Sequence, residues 1–504
     1  MSVRLRNRDT IDTALAADRL GVPSVVYFVL SAAAPLTVVA GVVTTGYAVT
    51  GITGLPVAFL AIGIVLAVFS VGYVAMARHM VNAGAFYAYI ARGLGRPCGV
   101  AGAWVALVAY NALQVGLYGA LGAAASPLLD QWFGISPSWW LIALVAWALV
   151  AMLGVMRVEV NGLVLAILLT AEVIVILLFD VINLGNPAGG TVSTSTLSPD
   201  ALFVSGVGAL LVIGILGFVG FESAVVFSEE SRDPRRTVPI ATFLSVAIIA
   251  GLYALSSWAM TVATGPGAIV DVARRDGAET IFNLAGAHLS GTVVDIARAL
   301  FVTSLFAAMI SFHNTTARYI FALGRERVLP GLFGRTSIRT GAPKAGSIAQ
   351  SVFGFVVILV YAILGLDPLV ELFFYGGTFG GFGVLLLVAA TSISVIAFFA
   401  RRPSGENVWR RIIAPAMAAI ALIVVVYLAV VNFATLLGVE DDSPLRWLLP
   451  AVYVAAAAIG VVWALILRGM NPDVYATIGL GAKAATGQAT PAAVRPTGVP
   501  DVTR

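Results

Sequence analysis

Residues 214–222 read Gly-Ile-Leu-Gly-Phe-Val-Gly-Phe-Glu and lie within an apolar stretch from 202 to 228. Three glycines recur at a spacing of three residues, and Glu222 follows them. In a membrane helix, glycines at such a spacing permit close contact with a second helix. A carboxyl group within a membrane is costly, however, and usually serves a function. We therefore interpret this stretch as an interrupted membrane helix at a functional site.

The composition indicates that lipid surrounds much of the chain. Of its 504 residues, 60% are hydrophobic and 11% are charged, and the mean hydropathy is +0.99. Soluble domains contain about 45–50% apolar and about 25% charged residues. The composition therefore excludes a soluble domain, and the single cysteine, Cys98, excludes a scaffold of intrachain disulfides.

Apolar stretches of membrane-spanning length recur along the chain. A hydrocarbon core of ~30 Å requires about 20 mostly apolar residues per helix. The first stretch follows a charged segment and is longer than the core of a signal peptide, so we interpret it as a retained span. The sequence predicts twelve spans, at residues 24–49, 55–77, 98–125, 138–156, 160–183, 202–228, 237–263, 292–322, 344–365, 371–400, 411–436 and 446–468.

Lysine and arginine residues concentrate in alternate connections. Cytoplasmic connections carry the excess of these residues in membrane proteins. If both termini are cytoplasmic, only Arg274, Arg275, Arg298 and Arg446 of the 29 basic residues lie on the outer side. The sequence thus predicts a multi-pass protein of the cytoplasmic membrane, and its net charge of +4 requires no nucleic-acid partner.

The segments that flank and connect the spans differ from them in composition. Residues 1–22 predict a cytoplasmic N-terminal segment, and residues 23–468 predict the twelve-helix domain. Residues 469–504 are rich in Ala, Thr, Gly and Pro and predict a disordered cytoplasmic tail. The connection 264–291 carries several charged residues, and we expect a short surface helix there.

The first span contains a second interruption. Residues 31–37 read Ser-Ala-Ala-Ala-Pro-Leu-Thr, and Pro35 removes a backbone donor and disturbs the preceding turn. Both a simple proline kink and an opened segment fit this pattern. The first and sixth spans hold corresponding positions if residues 24–183 and 202–400 form two inverted repeats of five helices. Paired breaks of this kind point to a transporter site at the repeat interface.

The ends of broken helices have a defined chemistry. The amides at the N-terminus of a half-helix, with its partial positive charge, suit a carboxylate. The unwound carbonyls of the opposing break suit an ammonium group or another cation. An amino acid carries both charges and fits both breaks.

Four groups of residues resemble the motifs of amino acid permeases in the amino acid–polyamine–organocation (APC) superfamily. The resemblance extends from about residue 20 to 468. It implies a leucine-transporter-like fold of two inverted five-helix repeats plus the helices at 411–436 and 446–468, with transport by alternating access. The motifs are Gly217 to Glu230 (Gly-Phe-Val-Gly-Phe-Glu-Ser-Ala-Val-Val-Phe-Ser-Glu-Glu), Asn82 to Tyr89 (Asn-Ala-Gly-Ala-Phe-Tyr-Ala-Tyr), His313 to Tyr319 (His-Asn-Thr-Thr-Ala-Arg-Tyr), and Ala322 to Arg325 with Leu329-Pro330 and Gly341 to Pro343.

The resemblance also implies which residues bind the substrate. The first break presents amides near Ala34, Leu36 and Thr37 to a carboxylate, because Pro35 has no N–H of its own. The sixth span presents carbonyl groups to an ammonium group and aromatic rings as a lid or wall. Tyr110 in the third span is a further polar candidate. The carbonyl groups implied for the sixth span are those of Leu216, Gly217 and Val219, and the implied aromatic rings are those of Phe218 and Phe221.

Carboxyl groups supply the candidates for coupling and gating. Glu172 lies midway along the fifth span, about where proton-coupled relatives often carry a lysine. The two lysines of this chain, Lys344 and Lys483, lie at the first residue of the ninth span and in the C-terminal tail, so no span has a lysine in its interior. We interpret Glu172 as a proton-coupling group; a neutral glutamic acid bonded to a neighbouring helix is the alternative. Pro35 and Gly220 are candidate break positions. We interpret Glu222 as a group that holds the broken helix together, and Glu229 and Glu230 as charges of a gate.

Several alternatives stay open at the level of sequence. No nucleotide-binding loop, zinc motif or cysteine pair occurs, so we expect no cofactor, no metal and no enzymatic activity. A membrane enzyme, a channel and a transporter with repeats of six helices are the competing classes. The substrate is an amino acid or, alternatively, a polyamine or another organic amine, and symport, exchange and uniport all fit the sequence.

Overall fold

A computed structural model describes residues 14–204, 206–402 and 405–482, which form helices and connecting turns. Within these described residues, eleven helices are long and apolar enough to cross a membrane, and one shorter apolar helix, α4, lies at the predicted fourth span. The helices are α1 (Val22–Thr50), α2 (Leu55–His79), α3 (Arg96–Phe133), α4 (Trp139–Gly154), α5 (Val158–Gly185), α6 (Val207–Val225), α7 (Pro234–Thr264), α8 (Gly291–Arg325), α9 (Lys344–Leu364), α10 (Pro368–Arg401), α11 (Trp409–Val431) and α12 (Leu445–Met470).

Helix α4 determines whether the chain crosses the membrane twelve times. It has 16 residues, which span about 24 Å at the rise of an α-helix, compared with a hydrocarbon core of ~30 Å. The all-helical class agrees with the sequence, while the count of twelve stays a prediction.

Helix α1 is interrupted at a single residue, as the proline predicted. The regular helix Val22–Ala33 ends at Ala34, whose φ of 46° and ψ of 69° are left-handed, and the chain then continues as a second half-helix, residues 35–50. The carbonyl that the break leaves at Ala33 accepts a hydrogen bond from the Tyr253 hydroxyl at 3.0 Å. A neighbouring helix thus satisfies backbone that lipid would leave unpaired.

Helix α6 is interrupted over a longer stretch. Its regular part ends at Leu216, turns follow, and Phe221–Val225 forms a 3-10 turn. Gly220 has a φ of 110°, and a Cβ at this position would lie 2.6 Å from the Cβ of Ala32. The glycine therefore provides both the left-handed conformation and the close approach that bring the break of α6 against α1.

Two faces of the bundle are defined by their connections. We call the end that contains Leu20, the segment after α6 and the start of α9 the N-terminal face, and the opposite end the distal face. The connection 264–291 on the distal face contains two short helices, Ile269–Asp276 and Thr280–Gly286, where the sequence predicted one. Helix α3, with 38 residues, packs against α8, α10 and α12.

The C-terminal segment differs from its prediction. The sequence predicted disorder from residue 469, but α12 extends to Met470 and a short helix, Pro472–Thr477, follows. The chain then packs against the bundle through Ile478, which is 1% exposed. The disorder was predicted from composition alone. In the structure, the backbone amides of residues 479 and 481 bind a buried carboxylate, a contact that composition does not show. Residues 1–13 of the predicted N-terminal segment and 483–504 of the tail lie outside the described residues.

Candidate functional site

A cavity of about 160 Å³ lies beside the two helix breaks. Residues from α1, α3, α6, α8 and α10 line it, and most of the lining side chains are apolar. The lining consists of Ala32, Ala33, Ala34, Thr37, Val38, Gly41, Val42, Thr45, Leu113, Leu117, Ile213, Leu216, Val219, Ala308, Phe312, Phe373, Phe374, Gly377, Thr378 and Leu436. Three threonine hydroxyls supply polar side-chain groups in an otherwise apolar chamber.

Four of the predicted substrate residues line this cavity: Ala34, Thr37, Leu216 and Val219. The other predicted residues are buried beside it in other contacts. The ring of Phe218 packs against Phe59 and Tyr253, and the ring of Phe221 packs against Phe69. A Cβ at Gly217 would lie 3.1 Å from the Val38 side chain. The Tyr110 hydroxyl and the Leu36 amide donate hydrogen bonds to glutamates.

The sequence did not identify the residues that α3, α8 and α10 contribute to the lining. These include Leu113, Phe312 and Phe374. These helices are apolar around much of their circumference. Periodicity therefore did not show which side faces the cavity.

A wider vestibule adjoins the cavity on the side of the distal face. It has a volume of about 790 Å³ and shares Thr37, Gly41, Thr45, Phe373 and Phe374 with the cavity. Glu279 and Arg298, which form an ion pair at 3.0 Å, belong to its lining. The cavity and the vestibule are therefore adjacent, and the vestibule lies toward the distal face.

Glu172 binds the break of α1 directly. Its Oε1 accepts a short hydrogen bond from the Leu36 amide and a second one, at 2.8 Å, from the Ser304 hydroxyl. Ser304 also lies 3.1 Å from the hydroxyl of Thr37, which lines the cavity. A carboxylate of the protein thus binds the amide at the N-terminus of the second half-helix. The sequence had assigned this amide to a carboxylate of the substrate.

Glu222 holds the break of α6 together. Its Oε1 accepts from the Tyr110 hydroxyl at 2.6 Å, and its Oε2 accepts from the Gly220 amide at 2.9 Å. The Tyr73 hydroxyl donates to the Glu222 carbonyl at 3.0 Å. These contacts satisfy polar groups that the irregular backbone would otherwise bury unpaired.

Two buried ion pairs lie at the N-terminal face and contain the predicted gate charges, so we call them together the N-terminal gate. Arg318 donates to both carboxylate oxygens of Glu230, at 2.6 and 2.9 Å, and Arg325 donates to both oxygens of Glu229, at 2.7 and 2.6 Å. The Ala83 amide also donates to Glu229, at 2.9 Å. Burial raises the pKa of the Glu229 carboxyl group, but the nearby guanidinium and amide outweigh burial and hold this pKa below its ordinary value.

Substitution of Gly220 tests the contact between the two breaks. We expect Gly220→Ala to destabilise the protein by roughly 1–3 kcal/mol because alanine is strained at a positive φ, and to impair ligand binding because the new methyl group displaces Ala32. The measurements are thermal denaturation in detergent and ligand binding. Gly251→Ala is the control, since a Cβ at that helical position meets nothing within 4 Å. Equal behaviour of the two variants would contradict the requirement for glycine.

Comparison with known proteins agrees with this architecture. The amino acid permease family matches residues 20–470. Cationic amino acid transporter 4 of Homo sapiens is 30% identical over 205 residues, which cover 40% of this chain and 30% of that protein. The uncharacterized amino acid permease YecA of Bacillus subtilis is 32% identical over 158 residues, which cover 30% of this chain and 35% of the relative. These two matches span about a third of the relatives' lengths.

A longer match at lower identity relates the chain to a further transporter. The low-affinity putrescine importer PlaP of Escherichia coli K12 is 23% identical over 346 residues, which cover 65% of this chain and 73% of that protein. The family match extends over nearly the whole chain, from two residues before α1 to the end of α12. The chain is therefore a multi-pass membrane protein and belongs to the amino acid permease family.

Proposed function

We propose that this protein is a secondary active transporter that moves an amino acid across the cytoplasmic membrane by alternating access, coupled to protons through Glu172. The observation that carries the proposal is the cavity beside the two helix breaks, which adjoins a wide vestibule toward the distal face, while two buried ion pairs lie at the N-terminal face. In this proposal both termini lie in the cytoplasm and the distal face lies outside.

The gate has the properties that alternating access requires. The segment with Glu229 and Glu230 directly follows the irregular part of α6, while Arg318 and Arg325 belong to the continuous helix α8. Movement at the break separates the carboxylates from the arginines without unwinding α8. The structure then corresponds to the state in which the cavity is open to the outside.

Glu172 supports a link between protons and substrate. When it is ionised, its carboxylate competes with a substrate carboxylate for the Leu36 amide. When it is protonated, the amide is a weaker partner for Glu172 and becomes available to the substrate, because amides bind an anion more strongly than a neutral acid. Protonation and binding of an amino acid therefore favour each other.

A second candidate substrate is an organic amine without a carboxylate. The contact of Glu172 with the Leu36 amide favours an amine, because an ionised Glu172 takes the amide that a substrate carboxylate would bind and attracts a cation. The carbonyls at the break of α6 attract an ammonium group in either case. The similarity to a protein named as a putrescine importer gives this candidate further support.

Uptake into proteoliposomes tests the proposal. We expect accumulation of radiolabelled amino acid when the outside is made acidic, and loss of accumulation when a protonophore collapses the gradient. Competitors are supplied as matched pairs that differ only in the carboxylate: valine with isobutylamine, and lysine with cadaverine. If the substrate is an amino acid, the carboxylated member of a pair competes at least about tenfold better, equivalent to about 1.4 kcal/mol.

Two outcomes would contradict parts of this proposal. Better competition by the decarboxylated members would exclude an amino acid and select the amine. Accumulation that does not depend on the pH gradient would exclude proton coupling. A liposome preparation without protein provides the baseline, because neutral amines cross lipid unaided.

A further inference from the structure

The segment after α12 binds across the N-terminal face through the carboxylate of Glu326. The amides of Gly479 and Gly481 donate to its two oxygens, Oε2 and Oε1, at 2.6 and 2.7 Å. The two glycines have φ values of 79° and 63°, a left-handed backbone that side chains disfavour. The Thr477 hydroxyl adds a bond to the Glu326 carbonyl at 3.3 Å. The turn at residues 477–481 therefore wraps around a single carboxylate.

Glu326 also binds the connection that follows α2. The Tyr87 hydroxyl donates to its Oε2 at 2.5 Å, and the Asn82 side-chain amide donates to its Oε1 at 3.4 Å. Glu326 is 1% exposed, and burial raises the pKa of its carboxyl group above the ordinary value. One carboxylate thus joins three distant parts of the chain: the end of α8, the connection after α2, and the C-terminal segment.

These contacts are adjacent in sequence to the gate. Asn82 precedes Ala83, whose amide donates to Glu229, and Glu326 follows Arg325, whose guanidinium binds the same carboxylate. One donor to Glu229 is therefore next to a residue that Glu326 binds, and the other donor is next to Glu326 itself. A donor whose position is already fixed loses less conformational entropy when it binds.

A second anchor positions the C-terminal segment. Arg96 donates to the Ala476 carbonyl at 3.0 Å, and its guanidinium lies 5.1 Å from the centre of the Tyr475 ring. The fit is close at the end of the segment too, since a Cβ at Gly481 would lie 2.9 Å from the Asn82 side chain. The segment is thus attached to α3 and to the gate region at once.

We propose that residues 471–482 form a latch that keeps the N-terminal face closed by holding the two donors of Glu229 in position. Release of the latch weakens the gate and shifts the protein toward the state that opens to the N-terminal face. The inference rests on the alternating access proposed above, but it concerns the conformational equilibrium without substrate and is independent of substrate identity.

Cysteine labelling measures this equilibrium. In a Cys98→Ala background, Ser228→Cys places a reporter beside the gate, where Ser228 is 1% exposed, and Thr45→Cys places one in the vestibule. Each reporter is combined with a truncation after Met470, which removes the latch, or with Glu326→Gln, which replaces one of the two oxygens that accept from the glycine amides with an NH2 group. We expect either change to raise the rate of maleimide labelling at position 228 about tenfold, within the usual range of such couplings, and to lower the rate at position 45.

A truncation after Ala482 is the matched control, because it removes the following residues and keeps the latch. We expect it to label like the full chain. Equal labelling of the two truncations would overturn the latch, and faster labelling at both reporters would do so as well, since it indicates loss of fold rather than a shift. If the reporters respond as expected and liposomes show no uptake, the latch stands and the proposed transport fails.

Discussion

In proteoliposomes, Glu172→Gln is expected to retain exchange of substrate across the membrane. The accumulation that a pH gradient drives is expected to fall at least about tenfold. Glutamine keeps a carbonyl oxygen that accepts from the Leu36 amide and the Ser304 hydroxyl, as Oε1 does in the native protein. It carries neither a negative charge nor a titratable proton. The break of α1 therefore keeps its contacts, while the competition between Glu172 and the substrate no longer depends on pH.

Asp180→Asn is the matched control for this prediction. Asp180 is a second buried carboxylate on the same helix, 1% exposed, and it accepts from the Ser256 hydroxyl at 2.8 Å. It does not belong to the lining of the described cavity or vestibule. We expect this variant to keep its dependence on the gradient. If Glu172→Gln accumulates substrate like the native protein, Glu172 has no coupling role. If it loses exchange as well while remaining folded, Glu172 binds the ligand itself, as expected for an amine.

The helices and their breaks were predictable because they depend on local properties of the chain. Apolar length alone locates a membrane helix, since each span must cross the same hydrocarbon thickness. Pro35 and Gly220 mark the breaks because one lacks an amide donor and the other adopts a φ of 110°. Both effects act within a few residues and need no knowledge of the neighbouring helices.

The contacts within the site depend on packing that the sequence does not show. Leu36 and Glu172 are 136 residues apart, and only the fold shows that the carboxylate reaches the amide assigned to the substrate. The two latch amides donate to Glu326, about 150 residues earlier. Composition predicted that the C-terminal segment is disordered because it is rich in Ala, Thr, Gly and Pro. Composition could not reveal that a single buried carboxylate binds the turn.

The gate pair of Arg318 and Glu230 provides the second prediction of large effect. Their side chains are 2% and 1% exposed, and the guanidinium also donates to the Asn314 carbonyl at 3.0 Å and lies 4.6 Å from the centre of the Phe227 ring. We expect Arg318→Ala to lower the free energy of unfolding by about 3–5 kcal/mol, because it leaves Glu230 charged, buried and unpaired. Thermal denaturation in detergent measures the loss of stability. We expect this variant to lose uptake as well.

The double variant Arg318→Met with Glu230→Met separates stability from gating. Replacing a buried ion pair with apolar side chains of similar size is often neutral or stabilising, so we expect the double variant to recover most of the lost stability. Without charges at this position the gate is weaker, and labelling at Ser228→Cys should be faster than in the native protein. Arg446→Ala, which removes an exposed ion pair on the distal face, should change neither property. A double variant that recovers uptake together with stability would show that the pair supports the fold and does not act as a gate.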